Sequence, residues 1–289
     1  MKKMLLSMLS LFRKFSLMVK SLRKIYRTGG YTSLDIAYVK YGSILDGRKI
    51  LITGGSTGIG FSIARKCLQE GAHVVITGRD TAKLMEAAEK LSSPLLKTLK
   101  WDVSKTAELD EAIEKVHKLL DGEVDILVNN AGTIDGIDFP NVQEDVWDRI
   151  YATNSKGVFF LTQAVCKNWM RKTSKPTKKV INISSQGGFV GATYPYRMTK
   201  WDIAGLTQGL GVKLAPHGII VNGIAPGIVA TAMQPNILAQ GENAYIPSNP
   251  LNRYALPEEI AELAVFLMGD ASNFIVGQTI VCDGGFSLK

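Results

Sequence analysis

The stretch Ile50-Leu51-Ile52-Thr53-Gly54-Gly55-Ser56-Thr57-Gly58-Ile59-Gly60 decides the reading of this chain. A short apolar run gives way to a glycine-rich turn, and a helical pattern begins at once. The run reads as a buried strand. Gly54, Gly58 and Gly60 remove side chains where the backbone must turn sharply and approach a ligand. The next helix points its free N–H groups and positive dipole end at that ligand, which suits a pyrophosphate. Ser56, Thr57 and Ile59 lie on the same loop and join it as candidate cofactor contacts.

Outward from this loop, strand and helix patterns alternate. Strands are expected at 73–77, 96–101, 124–128 and 178–185, then from 218 toward Pro226, and at 278–282. Helices are expected at 61–70, 81–91, 105–120, 159–169, from Tyr196 to 214, and at 257–268. This alternation implies right-handed βαβ units and a parallel sheet. The expected fold is a single doubly wound, Rossmann-like α/β domain over 47–289. A connector over 29–46 and a basic amphipathic helix over 1–28 precede it.

The chain has 289 residues, 46% hydrophobic and 21% charged, enough for one large core. Its net charge of +8 is local. Residues 1–28 hold eight Lys/Arg and no Asp or Glu, and removing those eight from the 34 leaves 26 basic against 26 acidic residues. A neutral domain gives no argument for nucleic-acid binding. Cys67, Cys166 and Cys282 form no C-x-x-C and read as buried thiols in a reducing compartment. The three histidines show no metal-ligand spacing, so no metal is expected.

The loop spacing is T-G-x-x-x-G-x-G rather than G-x-G-x-x-G. With Asp102-Val103, Asn129-Asn130-Ala131-Gly132, Asn154, Ser185, Tyr196-x-x-x-Lys200 and Pro226-Gly227, it resembles the short-chain dehydrogenase/reductase family over roughly residues 45 to 289. The core is similar to the 3-oxoacyl-carrier-protein reductase type. The resemblance implies a nicotinamide cofactor, a carbonyl or alcohol substrate and a homodimer or homotetramer. It also implies that Asp102 and Val103 meet the adenine, and that Asn130, Ala131 and Gly132 line the cofactor site. Pro226 and Gly227 would turn beside the nicotinamide, with Val229 and Thr231 in contact with the cofactor. Asn154 would bend its helix and hold a water linked to the lysine. Asp102 has a second reading as a helix N-cap, for which Ser104 competes.

Tyr196 and Lys200 stand at i and i+4, on one helix face. A ketone or secondary alcohol needs a group that exchanges a proton with its oxygen while hydride moves. Free tyrosine has a pKa near 10, and a nearby ammonium lowers it. Lys200 would also bond the nicotinamide ribose. A serine hydroxyl would stabilise charge on the substrate oxygen. Ser185 begins an S-x-x-G-x-x-G pattern, while Ser184 fits the family's count to the tyrosine better; Ser185 is favoured.

Gly78 and Arg79 follow the second strand, where an acid would bind the adenosine ribose. A guanidinium pairs with a 2′-phosphate, so NADP(H) is favoured and NAD(H) stays open. The competing reading has Arg79 as a solvated cation and Asp80 on the ribose. Residues 232–250 are expected to form a substrate lid. The function expected is hydride transfer between NADP(H) and a ketone or secondary alcohol. The rival is a non-catalytic NADP(H)-binding regulator or membrane-associated scaffold.

In the first 28 residues, Met4, Met8, Leu11, Phe12, Phe15, Met18, Val19, Leu22 and Tyr26 share one helical face. Two readings stay open: a helix lying on an anionic membrane, or one packed on protein. The apolar run is too short to span a bilayer, and no cleavage site is evident. A cytoplasmic protein, with or without peripheral membrane contact, is expected.

Overall fold

Seven short runs of mostly apolar or β-branched residues pair into one parallel sheet of order β3-β2-β1-β4-β5-β6-β7. The computed structural model describes residues 2–31, 42–171, 177–233 and 243–288, with side chains from Lys14 onward except Thr28. Along the chain come α1 (Lys2–Thr28), β1 (Lys49–Thr53), α2 (Gly58–Gln69), β2 (His73–Gly78), α3 (Thr81–Leu91) and β3 (Leu96–Lys100). Then follow α4 (Leu109–Leu119), β4 (Ile126–Asn129), α5 (Glu144–Tyr151), α6 (Val158–Met170) and β5 (Lys178–Ile183). The last elements are α7 (Pro195–Leu214), β6 (Ile219–Pro226), α8 (Pro257–Met268) and β7 (Thr279–Cys282).

The strand order reverses between β1 and β4, and ligands of such sheets bind at the strand ends beside that point. Alternate side chains of β1 serve opposite faces. Ile50 and Ile52 pack with α2 and α8, while Leu51 packs with α4 and α6. All three are fully buried, worth roughly 1.5–3 kcal/mol each.

A buried polar ladder ties the centre together. Asn129 Nδ2 donates to Thr162 Oγ1 at 2.9 Å and to Asn182 Oδ1 at 2.8 Å, and Asn182 Nδ2 donates to Thr207 Oγ1 at 2.9 Å. These bonds join β4, α6, β5 and α7 behind the site.

Several expectations shift. The core begins before residue 47, because Leu45 is fully buried and its N–H donates to Glu70 O at 3.1 Å. α2 begins at Gly58 rather than residue 61, since the glycine loop itself supplies the first turn. α4 begins at Leu109, after a single 3-10 turn at Thr106–Glu108. Neither Asp102 nor Ser104 caps that turn; its N-cap residue is Lys105, without a side-chain bond. Asp102 Oδ1 instead accepts from Ser104 N at 2.9 Å and Ser104 Oγ at 2.8 Å, closing a local turn. Three glycines, Gly205, Gly209 and Gly211, lie in α7. Only Gly211 is crowded, against Gly277, while Gly205 and Gly209 meet nothing within 4 Å. Of the expected lid, residues 234–242 lie outside the described residues, and with them Gln234, Asn236, Ile237, Leu238, Gln240 and Glu242.

Candidate active site

The ends of β1, β2, β4, β5 and β6 open into one cleft of about 820 Å³. The glycine loop forms its floor. Gly54 has φ of 65°, and a Cβ there would come 2.9 Å from Ala131 Cα. Gly58 also has positive φ, 56°. The cap residue of α2, Thr57, makes no side-chain cap bond, so the first N–H groups of that helix face the cleft without an intrahelical acceptor. Asn130 locks the loop from the opposite strand: its Nδ2 donates to Thr53 O and Gly54 O, each at 2.9 Å.

Gly54, Ser56, Thr57, Gly58, Ile59, Arg79, Asp102, Val103, Asn130, Ala131 and Gly132 all line the cleft. So do Ser185, Tyr196, Lys200, Pro226, Gly227, Val229 and Thr231. Two expected site residues stand behind the wall. Gly60 is buried, its α-carbon so close to Gly54 O and the Asn130 amide that a Cβ would meet both. Asn154 is 1% exposed, and its amide is fully engaged. Its Oδ1 accepts from Thr133 N at 2.9 Å, while Nδ2 donates to Thr133 O at 2.9 Å and Thr199 Oγ1 at 3.2 Å. The bend expected at Asn154 takes the form of a π-helical stretch, Ala152–Gly157, between α5 and α6.

At the catalytic end, the two serines separate. Ser184 is 3% exposed and donates to Lys200 O at 2.8 Å, which anchors β5 to α7. Ser185 also lines the cleft, accepts from Gly187 N at 3.1 Å and lies close enough to Tyr196 to pull its pKa down. Tyr194, four residues before Met198, stacks on Tyr196 with ring centroids 6.4 Å apart. Burial pushes the Tyr196 phenol above its ordinary pKa, with Ser185 pulling the other way. The lowering expected from Lys200 does not appear, because burial of the phenol outweighs the pull of Ser185. Lys200 is brought down to about 8 by burial, and its Nζ donates to Ile183 O at 2.9 Å.

At the far end, Asp80 is occupied as the N-cap of α3, accepting from Lys83 N at 3.2 Å. Arg79 and Lys83 line the cleft there. Three buried polar atoms along the cleft have no protein partner: Thr77 Oγ1, Trp101 Nε1 and Gln186 Oε1. A bare glycine cradle, an uncapped helix start and orphaned donors and acceptors fit a dinucleotide. Sequence reasoning missed Lys83, Gln186 and Arg197 as cleft residues. Gln186 and Arg197 directly follow Ser185 and Tyr196, and that adjacency was the available signal.

The fold and this cleft define a class, the short-chain dehydrogenases/reductases, and the chain belongs to that family of oxidoreductases acting on CH–OH groups. Residues 54–287 match the family model described as "Enoyl-(Acyl carrier protein) reductase". The chain is 35% identical over 247 residues to 5-keto-D-gluconate 5-reductase of Escherichia coli K12, covering 83% of this chain and 96% of the relative. Among solved structures, it is similar to the Pseudomonas aeruginosa RhlG/NADP active-site complex. That match has TM-score 0.78 and 33% identity, and covers 86% of this chain and 100% of the other. It is also similar to the 3-ketoacyl-(acyl-carrier-protein) reductase of Brucella melitensis complexed with NADH. There the TM-score is 0.76 and the identity 30%, over 84% and 99% of the two chains.

Proposed function

We propose that this protein reduces a ketone to a secondary alcohol with NADPH, using Tyr196 as the general acid. The observation that carries the reading is geometric: Ser185, Tyr196 and Lys200 line one cleft, with the Lys200 ammonium 5.4 Å from the Tyr196 ring centroid. A phenol that keeps its proton is a donor for a carbonyl oxygen as hydride arrives. The nicotinamide supplies the hydride. Ser185 donates to the same oxygen and stabilises its developing charge. Lys200 holds positive charge beside the phenol and would bond the nicotinamide ribose. Asn154 acts through Thr133 and Thr199 as a positioning residue rather than by touching substrate.

NADP(H) is favoured over NAD(H) because Asp80 is used as a cap and Arg79 and Lys83 offer cations beside the adenosine end. Arg197 supports an anionic substrate. Its guanidinium sits at the cleft, 5.3 Å from the Tyr194 ring centroid, with Nη1 donating to Gly191 O at 3.1 Å. Among the described residues no carboxylate pairs with it, and the acids lining the cleft, Asp80 and Asp102, belong to the adenosine end. A relative named for 5-keto-D-gluconate fits a substrate of that charge.

We read the groove between α5, α6 and α7 as the contact for a second copy in a homodimer or homotetramer. It exposes Phe159 and Phe160 and carries Lys156 beside Asp148 and Asp202, the mixed charge a self-complementary surface needs. A cytoplasmic location agrees with three cysteines free of disulfides. The test is a titration with NADPH and NADH, then turnover of neutral and carboxylate-bearing ketones. NADPH-dependent turnover supports the reading. Tight cofactor binding with no turnover of any ketone supports a regulator instead.

A further inference from the structure

Helix α1 stands largely clear of the folded domain: from Lys14 to Arg27 every side chain is exposed, Leu17 on the polar side included at 58%, except the half-buried Val19 and Ile25 at the edges of the apolar face. Phe15, Met18, Leu22 and Tyr26 follow one stripe at i, i+3 and i+4 spacing, with exposures of 61%, 51%, 56% and 90%. Side chains packed on the protein's own surface would not be this open. Lys14 and Arg23 fall on the two margins of the stripe, about 100° and 80° from Phe15 around the helix. Lys20 and Arg27 lie behind it. Residues 1–28 carry eight cations and no acid, on a protein that is otherwise neutral.

We infer that α1 docks this protein on an anionic lipid bilayer. The stripe enters the headgroup boundary, and Lys14 and Arg23 extend from its margins to lipid phosphates. The remaining cations are held near the leaflet by its negative surface potential. A symmetric pairing of α1 with a second copy would bring cations against cations. The helix lies on the membrane rather than through it: among the described residues, no helix is long and apolar enough to cross one.

The end of α1 is tied to the cleft. Asn243 Nδ2 donates to Gly30 O at 3.2 Å, and the Tyr245 ring packs so closely that a Cβ on Gly30 would come within 2.8 Å of it. Ser248, three residues on, lines the cleft. Docking therefore holds the Ser248 side of the cleft near the bilayer surface. The inference stands independently of the reaction proposed above.

The experiment is flotation of the full chain with vesicles of phosphatidylcholine alone and of phosphatidylcholine mixed with phosphatidylglycerol. The protein should float with the mixed vesicles only, and high salt should release it. The double variant Met18→Glu/Leu22→Glu should stay at the bottom with an unchanged thermal midpoint, because both side chains are exposed. Lys14→Glu/Arg23→Glu should weaken binding by about tenfold or more. Wild-type protein that ignores both vesicles, or floats equally with both, overturns the inference. So does a Met18→Glu/Leu22→Glu variant that floats as before, or one whose only change is a smaller sedimenting mass, which would assign the stripe to a second copy.

Discussion

The Lys200 ammonium lies 5.4 Å from the centroid of the Tyr196 ring, held there by a 2.9 Å hydrogen bond to Ile183 O. The pair shares one face of α7, and burial acts on both members in opposite directions. It moves Lys200 down to about 8 and Tyr196 up, so near neutral pH the phenol keeps its proton and the lysine its charge. For ketone reduction, kcat/KM should hold through neutral pH and fall as pH rises through about 8, when the free enzyme loses the Lys200 proton. A steady-state pH profile checks this, and a plateau extending to about pH 10 speaks against it.

Lys179 gives a second pH effect, on stability. Its side chain is fully buried on β5, with Nζ donating to Leu267 O at 3.1 Å, Ser272 Oγ at 3.0 Å and Gly269 O. Burial lowers its folded pKa to about 8 from 10.5. Between those values the unfolded chain holds more protons, so stability rises with pH; the gain is complete above 10.5 and lost as pH falls through about 8. Lys200 adds to the same slope. Urea unfolding across this window should show the rise, and Lys179→Met should flatten part of it. That variant should also lose roughly 1–3 kcal/mol, because carbonyls at the end of α8 lose a donor.

Arg79 is exposed at the end of β2, with Asp80 held as the cap of α3. Arg79→Ala should raise the Kd for NADPH by about tenfold or more, while NADH binding moves by less than about twofold. Fluorescence titration of both cofactors measures the split. Equal losses for both would place the guanidinium elsewhere than on a 2′-phosphate.

Arg197 packs its stem over Gly187, where an added Cβ would come 3.1 Å from the Arg197 Cγ. Arg197→Ala should raise KM for carboxylate-bearing ketones by about tenfold and leave neutral ketones within about twofold. The comparison is internal to one variant, so a general loss of folding would not mimic it.

The sheet was legible because its strands are short apolar runs with glycine or polar punctuation at each end. Ile50 to Thr53 and His73 to Thr77 came within a residue of β1 and β2. Starts set by non-periodic residues were harder to read. Leu45 joins the core through a backbone bond to Glu70, which no hydrophobic pattern reports. In the site, the cleft-lining loop and the Tyr196–Lys200 pair could be read from spacing and resemblance. The direction of the Tyr196 shift could not, because it depends on how much of the phenol the fold removes from water. Nor could the bond that ties Ser184 Oγ to Lys200 O, which depends on how that hydroxyl turns in the fold.

The most direct measurement is single-turnover reduction by the Tyr196→Phe variant, with NADPH binding followed in the same preparation. The phenylalanine keeps the ring that stacks on Tyr194 and removes only the hydroxyl. The reaction rate should fall by about 10²- to 10⁴-fold, the range for loss of a general acid, with NADPH affinity within about twofold of wild type. Wild-type turnover in that variant would contradict the assignment of Tyr196 as the proton donor.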